Sequence, residues 1–171
     1  AFKKVSEYEN IMVNVDIKST VNLPIVRTLA EKYGISILIE TVGALSETER
    51  VLDIINLFET AALGVAWNVR ATFFEAGESA DTTIQTLGAY ISYVRVGDRA
   101  DGRDVLIGEG TLPVELFMNA LRSLNYDGYI CADENDEITN SDIVLTHFKG
   151  LLQKIDRDAQ KPMEIYYNRD K

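Results

Sequence analysis

Cysteine occurs once, at Cys131, so no intrachain disulfide framework exists, and its apolar, strand-like surroundings read as those of a small buried hydrophobe. A reducing compartment, hence a cytoplasmic location, is the expectation. No apolar run approaches the ~20 residues needed to cross a bilayer, and the opening Ala1-Phe2-Lys3-Lys4 leads into a polar segment rather than a signal core. Membrane partners are therefore not expected. Basic runs are also missing. With a net charge of -10 and a pI near 4.6, the chain lacks the clustered Lys and Arg that neutralise a phosphate backbone, so no nucleic-acid partner is expected. Low-complexity segments, a GxGxxG pattern and a Walker pattern are absent too. No initiator Met is present, which leads us to expect a processed product or a piece of a longer polypeptide.

What remains is the balance of an ordinary globular domain, 46% hydrophobic and 26% charged. Five short apolar runs read as strands: Ile11 to Ile17, Ile35 to Ile39, Leu63 to Trp67, Ile91 to Val96 and Tyr129 to Ala132. Helical periodicity fills the intervals. Pro24 follows Asn22 in a first turn, and Gly34 closes that helix. Ser46 and Glu49 have capping-box spacing ahead of Val51, Leu52, Ile55 and Phe58. After Pro113, the residues Val114, Phe117, Met118, Leu121 and Leu124 form one apolar stripe. A last helix spans roughly Ser141 to Ile155, and Asp81 to Ala89 reads as a short, weakly patterned one. Strand alternating with helix implies parallel strands joined by right-handed crossovers. We divide the chain into a domain over 1–158 and an extension or linker over 159–171, which contains Pro162.

Two α/β architectures suit this alternation, an open flavodoxin-like sheet and a barrel. The polar residues favour the barrel. Glu40, Asn68, Asp98 and the Asp133-Glu134 pair stand at the carboxyl ends of successive strands, and a barrel gathers those ends around one axis.

At these positions the text reads Glu31-Lys-Tyr-Gly-Ile-Ser-Ile-Leu-Ile-Glu40, Gly64-Val-Ala-Trp-Asn68 with Ala76-Gly-Glu-Ser79, and Tyr93-Val-Arg-Val-Gly-Asp98. It continues with Ile107-Gly-Glu-Gly-Thr-Leu-Pro113 and Leu124-Asn-Tyr-Asp-Gly-Tyr-Ile-Cys-Ala-Asp133. These blocks resemble the xylose isomerase-like TIM barrels, a superfamily of sugar isomerases and epimerases, over about residues 10 to 155. The resemblance implies an α/β fold of about five parallel βα units, the later part of an eight-unit barrel. It also implies a divalent metal such as Mn or Mg held by a Glu, an Asp, a His and a final Glu. Those ligands map onto Glu40, Asn68, Arg95 and Asp133, and a further His maps onto Ala71. An amide and a permanently protonated guanidinium replace two ligands, so no metal cofactor is expected. Arg95 should instead lie between Glu40 and Asp133 and bond both.

The function implied is that of a carbohydrate-like ligand-binding or accessory domain that has lost its metal site. The alternative is an active isomerase or epimerase with Glu40 and Asp133 as acid and base. Candidate substrate-binding residues are Asn68, Arg70, Arg95, Asp98 and Arg99, although Arg70 also reads as exposed and Asp98 to Asp104 as a polar turn. Asp133-Glu134 reads equally as an acidic pair or a solvated loop. His147, in the last helix, has a surface or packing role, and Trp67 and Tyr129 belong to the barrel core. A second copy or a further segment of a longer chain is expected to complete the barrel.

Overall fold

A computed structural model of the protein describes residues 12–15, 23–133 and 141–159. In chain order the elements are β1 (Met12–Val15), α1 (Leu23–Tyr33), β2 (Ser36–Glu40), α2 (Thr48–Phe58), β3 (Leu63–Asn68), α3 (Val69–Phe74) and α4 (Ala80–Leu87). There follow β4 (Ile91–Val96), β5 (Asp98–Ala100), β6 (Arg103–Val105), α5 (Val114–Ser123), β7 (Tyr129–Ala132) and α6 (Ser141–Ala159). Strands β1, β2, β3, β4 and β7 form one sheet in that order, and every pairing is parallel. The expected five βα units are therefore present. Glu134 and the 160–171 tail lie outside the described residues, as do the flanks of the first expected strand. No helix among the described residues is long and apolar enough to cross a membrane.

Chain reversals follow local chemistry. Gly34 takes φ +62, and behind it Ile35 N–H bonds Ala30 O at 3.0 Å, the left-handed helix end that glycine permits without strain. The Ser46–Glu49 capping box does not form. Ser46 Oγ turns back to Gly43 O at 2.8 Å, and Glu78, from the α3–α4 loop, supplies the cap instead. Its carboxylate accepts from Thr48 N and Thr48 Oγ1, both at 2.8 Å, and from Thr83 Oγ1 at 3.2 Å. An acid placed from elsewhere thus satisfies one free amide of the first turn, and it suits the positive end of the helix dipole.

The helix-facing side of the sheet holds the core. Ile37, Ile39, Val65, Trp67, Val94 and Val96 are all at most 2% exposed, and strand pleating sends alternate side chains the opposite way. Trp67 stacks at a tilt on Phe117, 5.6 Å between centroids, and donates Nε1–H to Thr72 Oγ1 at 2.9 Å. The apolar stripe of α5 is buried through Val114, Phe117, Met118 and Leu121, as its spacing predicts. Removing a ring such as Phe117 would cost about 3–5 kcal/mol.

The inner side differs from expectation at two residues. Tyr129 is 73% exposed and Cys131 is half-buried, because both stand on the edge strand β7, beyond which no described strand packs. A register shift between Val65 and Ala66 places Ile91 opposite Val65 and Tyr93 opposite Ala66, with Ser92 as the additional residue. Such a bulge re-aims the residues beyond it. Arg95 thereby shares the inner side with Asn68, its register partner.

Candidate functional site at the carboxyl ends of the strands

Glu40 ends β2, Asn68 ends β3, Arg95 stands one residue from the end of β4, and Asp133 follows β7. Asp133 continues the ladder through its N–H to Val96 O at 2.7 Å. Parallel strands bring these four residues to one rim. Arg95 does lie between the carboxylates. Its Nη1 donates to Glu40 Oε1 at 3.0 Å and its Nε to Asp133 Oδ1 at 2.7 Å, with Nη2 2.6 Å from that same oxygen. Both contacts to Asp133 thus converge on one oxygen rather than forming a two-oxygen fork. Burial is the largest single influence on Arg95 and works against its charge. Asp133 and Glu40 more than offset it, holding the guanidinium above its ordinary pKa.

Asn68 is 3% exposed, and both of its side-chain polar atoms are bonded. Its Oδ1 accepts from Ala71 N at 3.1 Å, capping α3, which leaves Nδ2 to donate to Glu40 Oε1 at 3.0 Å. Thr41, also buried, accepts the Asn68 N–H on Oγ1 at 2.8 Å and fixes the corner. The cap explains why an amide suits this position, since it needs an acceptor toward the helix and a donor toward Glu40.

The other oxygen of Asp133 faces Arg70 Nε at 3.8 Å; both atoms are buried, without a hydrogen bond among the described residues. Gly97 permits this approach. A Cβ there would stand 3.2 Å from both Arg70 Cδ and Asp133 Cβ. Arg70 Nη1 reaches Asp104 at 3.1 and 3.2 Å, and Arg99 Nε meets the same carboxylate at 3.0 Å. Burial is the largest influence on Asp104 and pushes its pKa up, but Arg99 and Arg70 together hold it below the usual carboxylate value.

Asp104 was not singled out from the sequence, because the stretch from Asp98 reads as a polar turn. It is instead the hairpin β5–β6, turning at Asp101 and Gly102 with φ 52 and 77, and Asp-Gly is the pair such a turn favours. Asp98 belongs with the carboxyl-end residues by position but is spent internally. At 2% exposure, it accepts from the amides of Arg99, Gly108, Gly110 and Leu112 at 2.8 to 3.0 Å. Four donors use the roughly four lone-pair directions of a carboxylate, so Asp98 clamps the turn before α5 and offers nothing to a ligand. His147 lies away from the rim, with Nε2 3.0 Å from Ile107 O.

The donor set does not fit a divalent metal. Among the described residues no three His, Cys, Asp or Glu side chains are grouped to hold one, Asn68 Oδ1 faces α3, and a guanidinium without a lone pair stands between the two carboxylates.

A comparison with curated protein sequences gives no match. Among solved structures, a D-tagatose 3-epimerase-like protein aligns with TM-score 0.71 at 21% identity, over 92% of this chain and 68% of its own. The E. coli 3-keto-D-glucoside 4-epimerase YcjR aligns with 0.71 at 14%, over 89% and 67%. An IOLI protein with a bound zinc atom aligns with 0.70 at 18%, over 91% and 68%. The chain thus spans about two thirds of each, and the likeness is one of fold. The sequence pattern of the xylose isomerase-like TIM barrel matches residues 23–154, so the protein, a partial barrel of five parallel βα units, belongs to that family.

Proposed function

We propose that this is a sugar isomerase- or epimerase-like barrel domain in which Arg95 stands where relatives place a divalent cation, and that it binds a carbohydrate-like ligand as an accessory or receptor domain. The observation that carries this reading is the Glu40–Arg95–Asp133 contact. Hydroxyls suit such a rim because a carboxylate accepts and a guanidinium donates at fixed angles. The residues do not provide the Lewis acid that metal-dependent isomerisation uses. A further segment that completes the barrel along β1 and β7, and a reducing compartment, are part of the same proposal. In relation to catalysis, the placement of Glu40 and Asp133 on either side of one cation favours a second reading, in which they serve as acid and base beside an enediolate stabilised by Arg95.

Elemental analysis and manganese calorimetry of the parent, beside an Arg95→His, Asn68→Asp double variant, test the first reading. The parent should bind no manganese and the double variant should gain a site. Tight one-to-one binding by the parent would overturn the proposal and favour a metal-dependent isomerase.

A further inference from the structure

Hairpin β5–β6 springs from the carboxyl end of β4, with Gly97 alone between them, and forms a sheet of its own. Its base is pinned. Asp98 clamps the turn beyond it, and Thr111 N donates to Arg99 O at 2.9 Å. Apolar burial does little to hold the rest, since no residue from 99 to 105 is buried. The Arg99–Asp104 contact joins two residues already paired across the hairpin. Among the described residues, one side-chain tie fastens β6 to another element, the acceptance by Asp104 of Arg70 Nη1, from α3, at 3.1 and 3.2 Å. A segment anchored so thinly opens ahead of the core.

The same arginine has a second carboxylate within reach. With Nη1 on Asp104, its Nε stops 3.8 Å short of Asp133 Oδ2, and these are the two buried side-chain atoms without a hydrogen bond among the described residues. A buried donor facing a buried acceptor without bonding it is unfavourable for both. A shift of about half an ångström would make the bond. Gly97 leaves the way open, since a Cβ there would stand 3.2 Å from both Arg70 Cδ and Asp133 Cβ.

We propose that Arg70 is a two-position latch. Bonded to Asp104, it holds hairpin β5–β6 down beside the rim. Seated on Asp133, with Nε–H on Oδ2, it lets go of Asp104, and the hairpin opens about its Asp98 base. One charge-assisted bond replaces another, which keeps the two states close in free energy. A donor that occupies Asp133 Oδ2 takes the second seat away and keeps the hairpin down, so occupation of the rim is coupled to closure next to it. That coupling rests on the binding reading above, whereas the latch itself does not.

Hydrogen exchange of the folded chain tests both, read on peptides covering 99–105 relative to the buried strand β3, with the Arg70 Nε–H followed by NMR. Asp104→Asn should speed exchange in the hairpin about tenfold and at the same time slow exchange of the Arg70 Nε–H, which then bonds Asp133. A fixed tie has the opposite sign at that atom, because Arg70 would merely be set loose. Faster or unchanged exchange of the Nε–H, or an unchanged hairpin, would overturn the latch. Asp133→Asn takes away the second seat as an occupied Oδ2 would. It should slow the hairpin about threefold and do nothing in an Arg70→Met background. No slowing, or the same slowing without Arg70, sinks the coupling to the rim, and the Asp104→Asn result decides the latch even where Asp133→Asn fails to fold.

Discussion

Arg95 is a cation lodged between two acids, and its worth is set by what its removal would strand. Asp133 is 5% exposed at its side chain and Arg95 34%, so the pair lies between the buried case, where losing one partner costs 3–5 kcal/mol, and the exposed case, where it costs little. We expect Arg95→Met to destabilise the fold by about 2–3 kcal/mol in urea unfolding, and Arg95→Met with Asp133→Asn to regain part of that. A loss near zero would mean that solvent already screens the contact. Tyr126 offers a pH test. Burial and the neighbouring Asp127 push its phenol up to about 12, and its hydroxyl donates to Tyr129 O at 2.9 Å. With a folded pKa above the ordinary value near 10, its contribution is complete below about pH 10 and is lost as pH rises through about 12. Tyr93, raised likewise to about 12 by the neighbouring Cys131 and by burial, adds a similar loss. Tyr126→Phe should therefore flatten the alkaline fall in stability without abolishing it. Identical slopes for parent and variant would contradict the assignment.

The turn before α5 depends on a residue without a side chain. A Cβ on Gly110 would overlap Asp98 Oδ1 and Arg99 O, so Gly110→Ala must break the Asp98 clamp. A loss of about 2–4 kcal/mol is expected, since buried polar groups would be left unpaired, and thermal unfolding would measure it. An unchanged melting temperature would mean that the turn has another route. This element also marks what the sequence could reveal. Strands with β-branched runs and helices with an apolar stripe, such as α5, were legible because their period is local. Of the rim, Glu40, Asn68 and Asp133 were legible as polar residues at strand ends, and Arg95 through the family resemblance. Asp104, the Glu78 cap and the commitment of Asp98 were not, because each depends on a partner many residues away that no periodicity encodes. The Ser46–Glu49 spacing misled for the same reason, as Glu78 holds the Thr48 amide and Ser46 Oγ bonds Gly43 O instead.

At the scale of the molecule, five parallel strands leave β1 and β7 as edges among the described residues, and β7 carries the exposed Tyr129. Such an edge presents unpaired backbone groups. The same openness leaves Cys131 half-buried, and the register of β4 against β7 sets it directly opposite Arg95. Since it is the chain's single cysteine, it serves as a native chemical reporter of this rim. A thiol-reactive dye needs no engineered attachment point, and its labelling rate reads occupancy at the neighbouring guanidinium directly. A sugar seated across Glu40 and Arg95 should slow labelling in proportion to the fraction bound, whereas one held elsewhere on the surface would leave the rate untouched.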